Sequence, residues 1–485
     1  MIMRYRRRSV WLALAVAITT TTFAQQPPEL IIRNGLVATV DGRFESDVRI
    51  RGGAIAEIGR NLRATAGGRE IEARGLLVIP GGFDPHVHIG GAENYTTGSA
   101  AALAGGITTL GSFANIQAGE TAAAGLERAA KQVRSQAIAD VILHSVIGDF
   151  SGKLGGADLS ALVTQGQSSI KVFMNRPGFE QNIGGFLTLL RAAGSAGILT
   201  MMHCEDLFML SQTTDRMLAE GRGSLQYFAE SRPIVSEEVA TARAVAMSEF
   251  ANAPIYVVHL SSERALRAAE AGQARGLAVY VETRPVYLHF TQELYERPDR
   301  GLFIGQPPLH SKRDQDAMWD GLVKGTIQVL ATDHNGFTKE QKLDPSQTVA
   351  NHRAGIPNLQ EMRPMLYSEG VRTKRMSLER FVAVTSTNPA KLFGLYPRKG
   401  TIAVGSDADV VIWDPNDTRT IRDEDMLSGT RWSAYSGWKV TGWPRITIRR
   451  GEIVYQGGKV TGAAGSGQLV RRDRWQRPAL SLSKR

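Results

Sequence analysis

Hydrophobic and polar positions divide the chain into a long middle region and two flanking segments. In the flanks, residues 29–79 and 409–455, short apolar stretches alternate with polar residues and glycines. That pattern predicts antiparallel strands joined by tight turns. Because the flanks enclose the middle region, we expect them to pack together as one small β-sandwich domain, formed by residues 25–79 and 396–462.

The middle region alternates apolar strands with amphipathic helices. Helices are predicted at residues 122–139, 236–250, 262–274 and 313–324, and strands at residues 77–80, 107–113, 141–146, 169–174, 198–204, 254–259, 277–281 and 327–333. Eight apolar strands that alternate with helices favour a parallel (β/α)8 barrel of the TIM type over an open doubly wound sheet. We assign this α/β barrel to residues 80–395 and a basic tail to residues 463–485.

The first 24 residues have the pattern of a secretory signal peptide. Four arginines at positions 4 and 6–8 precede an apolar run at positions 10–18 and a short stretch that ends at Ala24. The run is shorter than the roughly 20 residues that span a bilayer. We therefore expect cleavage, export to the periplasm or the exterior, and no membrane span in the mature chain. An uncleaved anchor is the alternative, and the general and twin-arginine routes both stay open.

Composition excludes several classes of protein. Of the 485 residues, 42% are hydrophobic and 21% charged, which is typical of a soluble globular protein. The single cysteine, Cys204, excludes an intramolecular disulfide framework and a cysteine-based zinc module. Loss of residues 1–24 lowers the net charge from +10 to +6. Since no basic patch is interleaved with aromatic residues, we expect no nucleic-acid partner.

Metal-binding residue types fall at the predicted strand ends. The active site of such a barrel is built at the C-terminal ends of its strands. His86 and His88 end the first strand and, two positions apart, point to one face. His203, His259 and Asp333 end the fifth, sixth and eighth strands. Imidazoles with a carboxylate are the ligands that zinc and similar cations prefer, so we expect a metal site at this mouth.

Lys171 lies within a strand that reads as buried. A buried ammonium group is costly unless its charge is removed or paired. Burial lowers the pKa of a lysine and makes its neutral amine nucleophilic, so the amine could take up carbon dioxide as a carbamate that bridges two cations. Alternatively, the side chain reaches the barrel mouth and keeps its charge in water. The residues alone leave both interpretations open.

Further motifs identify a family. They are Gly98–Thr109, Ser231-Arg232-Pro233, Glu282-Thr283-Arg284-Pro285, Pro307-Pro308-Leu309, Asp333-His334, Ile356-Pro357-Asn358, Thr387-Asn388-Pro389-Ala390 and Gly405-Ser406-Asp407-Ala408-Asp409. With the metal-site candidates, they make the chain resemble the amidohydrolase superfamily, and within it the branch of dihydropyrimidinases, hydantoinases and allantoinases. The resemblance covers nearly the whole mature chain.

The resemblance implies a binuclear metal centre and a hydrolytic mechanism. Two divalent cations, zinc by default, would share a hydroxide that attacks the amide carbonyl, with Asp333 as general acid and base. Cys204 is expected to be a packing residue. The implied ligands are His86, His88 and Asp333 for the first cation, His203 and His259 for the second, and Lys171, as N6-carboxylysine, between them.

Two departures from the branch concern the substrate. Arg176 stands where the branch usually has a tyrosine that supports the oxyanion, and Gln306 where it commonly has a serine. Asn358 matches its substrate-contacting asparagine. We expect all three residues to bind substrate, and Arg176 suggests a carboxylate-bearing or otherwise unusual amide. The alternative for Arg176 is a salt-bridged loop residue outside the pocket.

Three functions remain open at this level. The first is a metal-dependent hydrolase of a cyclic amide or ureide of the hydantoin or dihydropyrimidine type. The second is an exported hydrolase of linear N-acyl amino acids or dipeptides, and the third is a non-catalytic scaffold. The resemblance also implies a homo-oligomer, a dimer or tetramer, whose tail often reaches a neighbouring subunit. A disordered basic end is the other interpretation of the tail.

Overall fold

The computed structural model describes residues 29–117, 119–151 and 155–480. The predicted signal peptide lies outside these residues. Among the helices of the described part, none combines the length and the apolar character needed to cross a membrane.

The strands and helices follow one another along most of the chain. The strands are β1 Leu30–Thr39, β2 Gly42–Arg51, β3 Ala54–Gly59, β4 Arg69–Glu72, β5 Leu77–Pro80, β6 Gly82–Val87, β7 Ile107–Asn115, β8 Asp140–Val146, β9 Ser169–Phe173, β10 Leu199–His203, β11 Ile255–Val257, β12 Val279–Thr283, β13 Val329–Leu330, β14 Val410–Thr420, β15 Lys439–Arg449, β16 Glu452–Gln456 and β17 Lys459–Val460. The α-helices are α1 Tyr95–Ala104, α2 Ala122–Gln136, α3 Gly156–Thr164, α4 Pro177–Gln181, α5 Ile183–Ala196, α6 Leu207–Ala219, α7 Phe228–Ser231, α8 Ile234–Ala251, α9 Glu263–Ala274, α10 Pro285–His289, α11 Lys312–Lys324, α12 Lys339–Lys342, α13 Met362–Leu366, α14 Leu378–Val382 and α15 Asn388–Leu392.

The two flanking segments form one nine-stranded sheet. Its order is β17-β16-β15-β14-β5-β1-β2-β3, and β4 pairs with β1. Ile32, Val48, Val410 and Ile448 are fully buried in the apolar core of this sheet. The prediction that the terminal segments build a β unit separate from the barrel is thus confirmed.

The prediction for residues 77–80 was wrong. We expected them to open the barrel, but β5 pairs with β1 and β14 in the nine-stranded sheet. The first barrel strand is β6, which begins at Gly82, two residues after β5 ends at Pro80. His86, which we expected at the end of the strand that opens the barrel, lies in β6 itself, whereas the more conspicuous apolar run of β5 belongs to the other sheet.

The eight strands β6 to β13 form a parallel barrel in sequence order. A single parallel bridge between Val87 and His334 brings the last strand back to the first. Phe83, Met201 and Tyr256 are buried in the core that fills the barrel. This confirms the predicted barrel, and it brings the C-terminal ends of all eight strands to one mouth.

The tail packs against the barrel of the same chain. Leu469 forms a parallel bridge with Val141, next to the start of β8. The buried guanidinium of Arg472 donates to the Leu143 carbonyl over 3.0 Å, and the backbone N–H of Trp475 donates to the Gly197 carbonyl. Residues 467–475 therefore cover the N-terminal end of the barrel, opposite the mouth.

Candidate metal centre

The barrel mouth brings all six predicted metal ligands to the wall of one cavity. Ligand atoms of His86, His259 and Asp333 lie within 4.8 Å of one another. His86 Nε2 and His88 Nε2 lie 3.2 and 3.0 Å from Asp333 Oδ1. On the other side, His203 Nδ1 lies 3.0 Å from His259 Nε2. The side chains thus form two adjacent donor groups.

Lys171 is fully buried in the fourth barrel strand, beside both groups. Its amine has no hydrogen-bond partner among the residues that the structure describes. The rings of Phe113 and Phe173 lie 5.4 and 5.0 Å from Nζ. Burial lowers the pKa of Lys171 to about 8, against the opposing effect of nearby carboxylates. A buried amine without a partner, surrounded by metal-binding side chains, fits a site completed by cations.

His203 and His259 are in the neutral form that binds metals. Burial lowers the pKa of His203, and burial together with His203 lowers that of His259 well below its ordinary value. Both imidazoles are therefore neutral near pH 7, as ligands must be.

Two buried carboxylates hold the outer nitrogens of the histidines. Glu282 Oε1 lies 2.7 Å from His86 Nδ1, and its Oε2 accepts from the Tyr256 hydroxyl over 2.8 Å. Glu205 Oε2 lies 2.7 Å from His203 Nε2. Such partners fix the ring orientation and the tautomer of a metal-binding histidine.

Glu205 is itself fixed by an arginine. Arg232 Nε and Nη2 donate to the two oxygens of Glu205 over 2.9 and 2.5 Å. Although burial would raise its pKa, Arg232 and His203 lower the pKa of Glu205 to about 2. Sequence reasoning gave no role to Glu205, Arg232 or Glu282. Arg232 and Glu282 stand within two of the quoted motifs, and Glu205 follows β10 by two residues, which are the signals that could have pointed to them.

Asp333 and His259 have unusual backbone conformations. Their φ angles are +48° and +39°, in the left-handed region that non-glycine residues rarely adopt. Strain of this kind persists where the surroundings hold a residue in place, often at functional sites. Burial would raise the pKa of Asp333, but the Arg284 guanidinium and His86 hold it well below its ordinary value. The carboxylate is thus ionised near pH 7.

The predicted substrate residues have different positions around a cavity of about 1040 Å³. Arg176 lies exposed on its wall, with its guanidinium 4.9 Å from the Phe173 ring, and no described carboxylate forms an ion pair with it. Gln306 also lines the cavity, with Nε2 2.9 Å from His352 Nε2. Asn358 does not lie on the wall, because its buried amide donates to backbone carbonyls of the surrounding loops.

Burial raises the pKa of the Cys204 thiol, which suits packing and not nucleophilic attack.

Comparison with known proteins decides the family. A model of the amidohydrolase family matches residues 77–454. The chain belongs to the amidohydrolase family. Because that family is metal-dependent, the cluster of His86, His259 and Asp333 is its candidate metal site.

Several relatives and solved structures match this amidohydrolase over nearly its whole length. It is 34% identical to a D-hydantoinase of Rhizobium radiobacter over 463 residues, 92% of this chain and 100% of that protein. The crystal structure of a dihydropyrimidinase from Brevibacillus agri has a TM-score of 0.87 at 34% identity, covering 93% of this chain and 100% of that one. An L-hydantoinase from Arthrobacter aurescens has a TM-score of 0.84 at 29% identity, with coverages of 91% and 99%.

Proposed function

We propose that this amidohydrolase opens cyclic amides or ureides of the hydantoin or dihydropyrimidine type. The observation that carries the proposal is the pair of adjacent donor groups at the mouth of a large cavity, beside a buried lysine amine that has no hydrogen-bond partner among the described residues. Relatives that match nearly the whole chain are hydantoinases and a dihydropyrimidinase, which supports ring substrates.

The residues present would hold two divalent cations. His86, His88 and Asp333 would bind the first, and His203 and His259 the second. Lys171, as a carbamate, would bridge them, because its lowered pKa supplies the neutral amine that carbon dioxide requires. Zinc is the default for imidazole and carboxylate donors.

The protein's own groups would move the proton. Divalent cations held by these residues would lower the pKa of the attacking water to near neutral and polarise the scissile carbonyl. Asp333, ionised at the start, takes the proton of the attacking water and gives it to the leaving ring nitrogen. Arg176 and Gln306, on the cavity wall, would bind the rest of the substrate.

Neither alternative function is favoured. A scaffold would not need six buried or half-buried metal-binding side chains, which are costly without a metal. The linear-amide hydrolase has no support among relatives that are hydantoinases or a dihydropyrimidinase. We also propose that the protein is exported and forms a homo-oligomer.

A substrate panel tests the proposed function. Zinc-loaded protein is given dihydrouracil, hydantoin and allantoin beside N-acyl amino acids and dipeptides, and each product is identified by mass spectrometry. We expect ring opening and little or no turnover of linear amides. Turnover of linear amides alone would overturn the assignment.

Arg176 is expected to set the preference for charged substituents. In Arg176→Tyr, the ratio of kcat/KM for a hydantoin with a carboxyethyl substituent to that for hydantoin should fall about tenfold or more, because a bidentate charge-assisted contact is lost. Steady-state kinetics on both rings measure the ratio. Arg216→Tyr, at an exposed arginine of α6, serves as control and should leave it unchanged. A ratio that Arg176→Tyr does not alter would disprove carboxylate binding by Arg176.

A further inference from the structure

Arg284 lies directly behind Asp333. It follows β12 two residues after Glu282, and its side chain is fully buried. Its Nη1 lies 3.2 Å from Asp333 Oδ2, and its Nε donates to the Thr332 carbonyl over 3.2 Å. A buried guanidinium is costly unless its charge is paired, so the contact with Asp333 is what makes this placement tolerable.

The surroundings fit this guanidinium closely. A Cβ at Gly305 would lie 2.9 Å from Nη1, so glycine leaves the room that the group needs. The Tyr287 hydroxyl lies 3.5 Å from Nη1 and donates to the Pro307 carbonyl over 2.6 Å. Because the planar guanidinium is rigid, contacts on several sides fix its orientation as well as its position.

The two oxygens of Asp333 therefore have different partners. Oδ1 faces His86 Nε2 and His88 Nε2, at 3.2 and 3.0 Å, while Oδ2 contacts Arg284. A carboxylate rotates as one unit, so a contact that holds Oδ2 also fixes where Oδ1 points. Arg284 is not among the described residues that line the cavity, and it acts through Asp333, not on the substrate.

We propose that Arg284 is the positioning residue for Asp333. It holds the carboxylate so that Oδ1 stays between His86 and His88. The proton transfers of ring opening then begin from one fixed geometry. This inference rests on the proposed function. Removal of Arg284 should therefore lower kcat and weaken zinc binding while KM stays nearly constant, since no substrate contact is lost.

The test compares Arg284→Ala and Arg284→Lys in the zinc-loaded full chain. We expect Arg284→Ala to lower kcat about 10- to 100-fold, the usual effect of losing a residue that orients a metal ligand. Added guanidinium chloride should restore part of the loss, and sodium chloride at the same ionic strength should not. Zinc affinity, measured by competition with a chelator, should fall in parallel. Arg284→Lys keeps the positive charge but not the planar guanidinium with its several donors. Its kcat should therefore lie between those of the parent protein and Arg284→Ala.

Arg363→Ala is the matched control. Arg363 is also fully buried, but it donates to the carbonyls of Gly106 and Pro80 and does not contact Asp333. Its loss should destabilise the fold without lowering the kcat of the folded fraction or creating a response to guanidinium.

The outcomes separate this inference from the proposed function. Parental kcat and zinc affinity in Arg284→Ala would overturn the positioning role. If that variant does not fold, parental kcat in Arg284→Lys would overturn it equally. If the parent protein opens no ring at all, the proposed function fails first.

Discussion

Replacement of Lys171 by alanine is expected to lower kcat/KM for ring opening by about 10³-fold, the order reached when a preorganised charged group is removed from a water-excluded site. The buried amine has a pKa of about 8 and no described hydrogen-bond partner. A carbamate on it would supply a ligand shared by the two donor groups, so the variant should also bind less zinc. Steady-state kinetics, zinc content and intact mass measure these effects.

Two further variants define what Lys171 contributes. Lys171→Arg keeps a positive charge but does not form a stable carbamate, so it should be as inactive as Lys171→Ala. Lys131→Ala, at an exposed lysine of α2, should keep both the activity and the added mass of one carbon dioxide. Parental activity in Lys171→Arg would show that the lysine acts by its charge and not as a carbamate.

Replacement of Asp333 by asparagine is expected to lower kcat by about 10³-fold, within the range for loss of a general acid and base. The asparagine keeps the size of the side chain and one oxygen towards His86 and His88, but it cannot take the proton of water. KM should change far less than kcat, because the proposed substrate contacts are made by Arg176 and Gln306 and not by Asp333. Kinetics at matched zinc content measure the effect.

The control for Asp333→Asn is a measurement of its bound zinc. Zinc bound per chain and thermal stability are compared with the parent, so that a lost ion is not mistaken for lost proton transfer. If the variant holds the parental amount of zinc and still turns over at more than about a tenth of the parental kcat, Asp333 is not the general acid and base.

The sequence allowed us to predict that the metal-binding side chains meet at one mouth, because that depends on where each one falls along its own strand. His203 ends its strand, and His86, His259 and Asp333 lie within or just beyond strand ends, and a parallel barrel brings all such ends to one mouth. Lys171 stood out because a charged residue interrupts an apolar strand. These signals need no knowledge of distant contacts.

The groups that hold the donors could not be predicted in this way. His86 and Glu282 are 196 positions apart, and nothing near either residue indicates that they meet. Arg284 and Arg232 likewise have partners, Asp333 and Glu205, that only the folded chain brings near. The error at residues 77–80 has a related cause, since a short apolar run fits an inner strand of the terminal sheet and the first strand of a barrel equally well.

Metal-dependent hydrolysis of cyclic amides is tested most directly by NMR of hydantoin. The spectra are recorded with protein stripped of metal by a chelator and with the same protein reloaded with zinc. We expect N-carbamoylglycine to form only with the reloaded protein, and two zinc ions to be bound per chain when activity is restored. If the zinc-loaded protein leaves both hydantoin and dihydrouracil intact, or if the metal-free protein opens them as fast, a metal-dependent hydrolysis of cyclic amides is contradicted.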